Sequence, residues 1–128
     1  MPGVLALQTD AFKNYDTAHA EMKTLDEQVK NHLPALQKIP LIIIADDANF
    51  VSETLQNFLW VAFTRSNPSH DIYGIDSFTK NKHWGCNGPL LMDASIKPHH
   101  APILVKDVLV EKSVDHLFEK GGSLYGVG

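Results

Sequence analysis

One short segment restricts the fold more than any other part of this sequence. Leu41–Ala45 has no polar position and contains three consecutive isoleucines. A run of this length and composition is typical of a strand covered on both faces, as strands are in parallel sheets. Because helices must then lie on both sides of the sheet, the segment predicts a layered α/β/α fold with a largely parallel or mixed sheet.

Hydrophobic spacing and turn residues predict the remaining elements. Asp16 or Thr17 is expected to cap the first helix, and Pro34 is expected to end it near His32, because proline disrupts a helix interior. The predicted elements are strands at 4–8, 41–45, 72–75 and 89–94, helices at 17–32, 52–63 and 109–120, and a loop at 80–89.

The second and last predicted helices carry apolar residues three or four positions apart, which favours one buried face on each. The second helix is expected to bury Val51, Leu55, Phe58, Leu59 and Ala62. The last helix is expected to turn inward Val110, Val114, Leu117 and Phe118.

Composition limits the classes of function. The 128 residues suit one domain spanning 1–128, and 44% of them are apolar. The formal charge of −4 argues against non-specific nucleic-acid binding, and no apolar run reaches the about 20 residues of a membrane span. The single cysteine, Cys86, cannot form an internal disulfide, which indicates a reducing compartment. No basic segment precedes the first apolar run, so no signal peptide is predicted and a cytoplasmic location is expected.

Asp46 and Asp47 follow the apolar strand at its carboxyl end, where open α/β sheets place ligands. Turn formation and helix capping are the favoured roles, with a magnesium- or hydroxyl-binding role as the alternative. No glycine-rich phosphate loop follows either early strand. The chain is therefore not predicted to be a self-sufficient dinucleotide-binding domain.

Arg65 is the single arginine of the chain, and its guanidinium suits a carboxylate or a phosphate. It follows a predicted buried helix, so it can equally bind the last free carbonyls of that helix or pair with Asp71. A structural role of Arg65 is the favoured interpretation.

A metal site is a weaker hypothesis. The residues that suit it are His83, Cys86, His99 and His100, with Asp93 between them. Adjacent histidines rarely bind one ion together, because neighbouring side chains diverge. Cys86 is also a weak candidate nucleophile, because Lys82 is the only cation near it in the sequence.

Two segments, 82–89 and 96–102, concentrate Trp, His, Asn, Gly and Pro. Such residues are unusual in a loop selected only for flexibility, and loops often carry function. The segments are interpreted as either a ligand rim or a packing surface for another domain or subunit.

Four motifs together resemble the C-terminal region of the UbiD family. They are PLIIIADD at 40–47, FLWVAFTRSNP at 58–68, LMDA at 91–94 and KPHHAP at 97–102. The resemblance covers about residues 2–117. Members of this family are decarboxylases and carboxylases of aromatic and unsaturated acids that use prenylated flavin mononucleotide.

The resemblance implies that the flavin, the divalent metal on its phosphate and the catalytic residues belong mainly to a larger N-terminal domain. No catalytic motif of that domain matches these 128 residues. The C-terminal domain of the family packs against the flavin domain, closes the active-site cleft and helps to assemble homo-oligomers. The chain is therefore expected to be inactive alone, with the flavin domain of the same polypeptide as its partner.

The sequence departs from the family pattern at one position. Many members have a lysine directed at the cofactor phosphate shortly before the segment that matches 91–94. Here Asn-Gly-Pro occupies 87–89, and the nearest cations are Lys82 and Lys97. If this chain contacts the cofactor, the candidate residues are Asn87, Gly88, Lys97 and, with less support, Arg65.

Two other classes of function stay open. The chain could be a stand-alone interaction or small-ligand module, which would require it to be a complete gene product. It could also be a metal protein, which would require the histidines and Cys86 to converge. No metal ligand is assigned within the chain under the favoured interpretation.

Overall fold

A computed structural model describes residues 2–100 and 107–127. In chain order the elements are β1 (Val4–Gln8), α1 (Tyr15–Val29), a 3₁₀ helix (Lys30–Leu36), β2 (Leu41–Ala45), α2 (Ala48–Glu53), α3 (Leu55–Arg65), β3 (Ile72–Gly74), β4 (Ser77–Lys80), β5 (His83–Cys86), β6 (Leu90–Asp93) and α4 (Val108–Phe118).

The main sheet has four strands in the order β1-β2-β6-β3. β1, β2 and β6 run parallel, whereas β3 pairs with β6 in the antiparallel direction. The predicted α/β fold with a mixed sheet is therefore confirmed.

Alternate residues of β2 point to opposite faces of the sheet and supply two separate cores. One core lies against α2 and α3, and its buried members are Ile43, Ala45, Val51, Val61, Ala62 and Ala94. The other lies against α1, and its buried members are Met22, Ile42, Ile44, Ile75 and Leu91. Because both faces are covered, β2 needs no polar position, as its sequence indicates.

The boundaries of α1 differ from the prediction. The cap is Asn14, whose side chain accepts a hydrogen bond from the Thr17 amide at 2.9 Å, so the prediction of Asp16 or Thr17 was wrong. The α-helix ends at Val29 and continues as a 3₁₀ helix that includes Pro34. The chain tightens to 3₁₀ geometry before it reaches the residue that cannot donate an α-helical hydrogen bond.

The predicted helix at 52–63 is two helices separated by Thr54. This residue is extended, with φ −138° and ψ 159°, and its hydroxyl accepts the Asn57 amide at 3.0 Å. Val51 and Ala62 are buried as predicted. Leu55 and Leu59 are exposed, so their predicted burial was wrong. The break at Thr54 changes which face of the second helix meets the sheet.

The predicted loop at 80–89 contains strand β5 and the last residue of β4, and half of its residues stay outside strands. β4 and β5 form an antiparallel hairpin closed by Asn81 and Lys82. Both turn residues have positive φ, 53° and 65°, which is required at the two central positions of a type I′ turn. The sequence gave no sign of this turn, because its second residue is lysine and not the glycine that type I′ turns favour.

Helix α4 forms where it was predicted, and the Asp107 side chain caps it by accepting the amides of Leu109 and Val110. Its apolar residues are not buried. The predicted inward orientation was wrong for all four residues, which are exposed: Val110, Val114, Leu117 and Phe118. The apolar spacing therefore predicted the helix but not what covers it.

Within 2–100 and 107–127, no helix has both the length and the hydropathy needed to cross a membrane. Two residues of the KPHHAP motif, Ala101 and Pro102, lie outside the described residues.

Candidate functional site

A cleft of about 370 Å³ opens at the carboxyl end of β2, between the sheet edge and the helices α2 and α3. Its apolar walls include Phe50, Trp60, Val61, Ala94 and Ile96. Its polar residues are Asp46, Asp47 and Arg65. The position agrees with the general placement of ligands at the carboxyl ends of parallel strands.

Both aspartates hold the backbone around this cleft. The Ile96 amide donates to Asp46 Oδ2 at 2.7 Å, which ties the segment after β6 to the end of β2. The Phe50 amide donates to Asp47 Oδ1 at 2.9 Å, so Asp47 is the N-cap of α2. The predicted cap role is confirmed for Asp47, whereas the contact of Asp46 is with a segment 50 positions away and not with its own turn.

Arg65 lies in the last turn of α3, and only 7% of its surface is exposed. Its Nη1 atom is buried without a hydrogen-bond partner in the part of the chain that the structure describes. The alternative that it pairs with Asp71 is not observed, because the Asp71 carboxylate pairs with Lys97. Arg65 therefore brings a guanidinium to the cleft with hydrogen-bonding capacity still unused.

Lys97 is the largest fully buried side chain among the described residues. Its Nζ atom lies 3.4 Å from Asp71 Oδ1 and 3.3 Å from Asp93 Oδ2. It also donates to the Asp93 and Ser95 carbonyls, each at 3.3 Å. We call Lys97 and these two carboxylates the buried triad.

The register of β3 and β6 explains why the triad forms. Ile72 pairs with Met92, and the Asp93 amide donates to the Asp71 carbonyl at 2.9 Å. Asp71 and Asp93 are therefore cross-strand neighbours, and two like charges in that position repel. The Lys97 ammonium lies within ion-pair distance of both and offsets this repulsion.

Asn87 and Gly88 have structural contacts at the other end of the sheet. The side-chain amide of Asn87 donates to Asp76 Oδ2 at 2.7 Å. A Cβ atom added at Gly88 would lie 2.6 Å from Leu33 Cδ2 and 2.9 Å from Ile75 Cβ. The four predicted cofactor residues are thus not gathered at one place: Arg65 alone lines the cleft, and a cofactor contact by any of them stays a prediction.

An aromatic group lies beside the buried triad. The Tyr15 ring contacts Phe12, His19, His70 and His99. Burial raises the pKa of Tyr73 to about 12, and the charges of Asp93 and Asp71 act in the same direction. The same causes, burial first, raise the pKa of Tyr15. Both phenols are therefore held in the neutral form.

His100 accepts a hydrogen bond at Nδ1 from the Lys97 amide, at 3.1 Å. Its pKa is lowered, first by burial and then by the positive charges of His99, Lys97 and Arg65, while Asp71 opposes them. A neutral ring is what this geometry requires, because a protonated Nδ1 cannot accept a hydrogen bond.

The hypothetical metal ligands do not form a site among the described residues, where no three His, Cys, Asp or Glu side chains are placed to hold one ion. His83 and Cys86 lie on β5, whereas His99 and His100 follow β6 and pack ring to ring at 4.6 Å. The Cys86 thiol donates to the Gly88 carbonyl at 3.2 Å, and burial raises its pKa. A raised pKa disfavours the thiolate that a nucleophile requires.

Sequence reasoning missed the apolar side of the cleft. Trp60 and Phe50 are 47% and 43% exposed, although both belong to helices with a buried face. The one available signal was the spacing of Val61 and Arg65, which are four positions apart and therefore lie on the same face of α3.

Comparison with known proteins gives a partial similarity to one subunit of a decarboxylase. No family model matches the chain. Over 82 residues, which are 64% of this chain and 13% of the relative, it is 34% identical to a subunit of 4-hydroxybenzoate decarboxylase from Chlamydia pneumoniae. It is also 28% identical to uncharacterized proteins of Chlamydia muridarum and Chlamydia caviae, over 85 and 86 residues. These matches cover 66% and 67% of the chain and 15% of each relative, so the chain spans about one-seventh of the length of these curated relatives.

Proposed function

We propose that this chain is the C-terminal α/β domain of a UbiD-type decarboxylase that acts on aromatic or unsaturated carboxylic acids. The domain packs on a flavin-binding domain of the same polypeptide, closes the active-site cleft and contributes to a homo-oligomer in the cytoplasm. The observation that carries this proposal is the similarity to a small part of a decarboxylase subunit. The domain supplies no catalytic residue of its own.

Exposed apolar surface on α3 supports the docking role. Leu55 and Leu59 are exposed on this helix, and Phe63, which follows them at the same four-residue spacing, is 80% exposed. Soluble proteins rarely leave several neighbouring large apolar side chains in water unless another surface covers them. Helix α4 adds a second face of the same kind. Two such faces in a short chain favour a domain that is covered by other parts of an assembly.

The cofactor implied by the family, prenylated FMN with a divalent metal, is proposed to bind mainly outside this chain. The described residues do not provide a phosphate cradle: Asn87 and Lys97 already bind acidic groups of the chain itself, and Gly88 packs closely on Leu33. Arg65 is the cation with unused donors.

The mass of the natural protein tests the proposal. An antibody raised against the chain should detect, in a lysate of the source organism, a protein far larger than 14.2 kDa. That protein should purify with a bound flavin and release carbon dioxide from an aromatic acid. A band at 14.2 kDa would contradict the proposal and leave only shared ancestry with the decarboxylase.

A pair of variants in that larger protein tests the docking role. Phe63→Asp should reduce the oligomer or the flavin occupancy, because it places a charge on the apolar face of α3. Gln28→Asp adds the same charge at an exposed position of α1, on the opposite side of the sheet, and should change neither. Equal behaviour of the two variants would show that α3 is not a docking face.

The second candidate function is a stand-alone module that binds a small ligand. The observation that favours it is the cleft beside Arg65, which does not depend on any other domain. A 14.2 kDa natural product with a defined oligomeric state would support it.

A further inference from the structure

We propose that the Arg65 cleft is a binding site for a small organic monocarboxylate with a flat apolar body. The carboxylate pairs with the guanidinium, and the body lies between the aromatic and aliphatic walls. The site belongs to this chain alone, so it does not rest on the decarboxylase proposal.

The guanidinium is the first reason. An arginine that is 93% buried loses its hydration, and this loss is normally offset by an acceptor for its five N–H groups. In the ranges 2–100 and 107–127, no carboxylate lies within ion-pair distance of Arg65, and Nη1 has no acceptor. A bound carboxylate accepts two parallel hydrogen bonds from a guanidinium, which is the geometry that arginine suits best.

The walls are the second reason. Trp60 and Phe50 leave nearly half of their surface exposed at the cleft, and Val61, Ala94 and Ile96 line it with aliphatic groups. The volume of about 370 Å³ lies at the small end of the range for ligand sites. A flat ring system of one or two rings fits such walls, and aromatic contacts would orient it.

The neighbouring charges decide between a carboxylate and a phosphate. Asp46 and Asp47 also line the cleft, and each has one oxygen bound to a backbone amide. Two negative groups beside one guanidinium repel a dianion more strongly than a monoanion. The site is therefore expected to discriminate against phosphate and against the phosphate of a nucleotide or flavin.

Calorimetric titration of the 128-residue chain tests the proposal with naphthoate as the probe. Naphthamide has the same rings without the charge, and inorganic phosphate has the charge without the rings. Naphthoate should bind with one site per chain, naphthamide about tenfold or more weakly, and phosphate should not compete. In NMR spectra the Trp60 indole signal should move on titration, while the Trp84 indole signal on the hairpin stays in place.

Two variants test the contribution of the Arg65 guanidinium and that of the cleft walls separately. Arg65→Lys keeps the charge but loses the fork, so naphthoate binding should fall about tenfold while naphthamide binding is unchanged. Ile96→Trp fills the cleft and should abolish binding of both probes. Thermal unfolding of each variant shows that it is folded before it is titrated.

Three results would overturn the proposal. The first is equal affinity for naphthoate and naphthamide, which would remove Arg65 as the anion group. The second is unchanged naphthoate binding in folded Arg65→Lys and Ile96→Trp. The third is no binding of either probe to the original chain, which would leave the cleft as a surface for protein contacts. None of these results bears on the mass or the flavin content of the natural protein, so the two proposals fail separately.

Discussion

Replacing Lys97 by methionine should destabilise the chain far more than replacing an exposed lysine. Methionine is similar in length and retains the packing over the Phe12 ring, whose centroid lies 5.6 Å from Nζ. It removes the only positive charge of the buried triad. Asp71 and Asp93, which are cross-strand neighbours, would then face each other without a cation between them.

The expected loss follows from the burial of all three groups. Lys97, Asp71 and Asp93 are 1%, 0% and 2% exposed, so water cannot replace the missing ammonium without opening the fold. Removing one partner of a buried ion pair typically costs about 3–5 kcal/mol. A domain is stable by only about 5–15 kcal/mol, so Lys97→Met should lower the denaturant midpoint by about a fifth or more.

Urea unfolding followed by circular dichroism measures this effect, with Lys23→Met on the exposed side of α1 as the matched control. Adding Asp71→Asn to Lys97→Met should recover about 1–3 kcal/mol, because it removes one of the two repelling charges. An asparagine oxygen can still accept the Asn67 amide, which lies 2.7 Å from Asp71 Oδ2. The reasoning would be refuted if Lys97→Met costs under about 1 kcal/mol, or if the two substitutions are additive.

Three further predictions concern the turn, the glycine and the histidine. Lys82→Gly should stabilise the chain by about 0.5–1 kcal/mol in urea unfolding, because glycine adopts the φ of 65° without strain, whereas Lys80→Gly within β4 should destabilise it. Gly88→Ala should cost about 1–3 kcal/mol by the same assay, since its methyl group would overlap Leu33 Cδ2; an unchanged midpoint would show that the 3₁₀ helix shifts freely. The folded-state pKa of His100 lies below its ordinary value of about 6.5, so its contribution to stability is complete above that pH and is lost as the pH falls toward the folded-state pKa. His100→Asn should flatten the slope of unfolding free energy against pH between about 7 and 5, and an unchanged slope would contradict the assignment.

The architecture was predictable because it depends on local patterns. The isoleucine run at Leu41–Ala45 required two covered faces, and the structure supplies one core on each. The position of the cleft was also predictable, since Asp46 and Asp47 mark the carboxyl end of that strand. The buried triad was not. Asp71 and Lys97 are 26 positions apart in the chain and meet only because β3 pairs with β6 in one particular register.

The hairpin was missed for a different physical reason. Residues 77–80 contain one apolar side chain, that of Phe78, and all four residues are exposed. A two-stranded ribbon is held by its backbone ladder, by cross-strand contacts and by turn geometry, none of which requires a hydrophobic period. A Cβ atom added at Gly85 would lie 2.9 Å from Phe78 Cζ, so the Phe78 ring packs against the glycine of the partner strand. That contact between strands replaces the buried face on which pattern reading depends.

The error on α4 shows what a periodic pattern can establish. Val110, Val114 and Leu117 fall on one side of a helix, and this spacing correctly predicted the helix. Spacing carries no information about the partner surface, because an apolar stripe is the same whether it is covered by its own chain or by another. In the described residues α4 has no buried side chain, and α3 exposes a second apolar face.

A helix of 11 residues is only marginally stable in water without such cover, so the stability of α4 should rise when another surface buries it. Amide hydrogen exchange tests this directly: α4 should exchange faster than α1 in the isolated chain and become protected in the larger protein. Equal protection of α4 in both would show that its apolar stripe needs no partner.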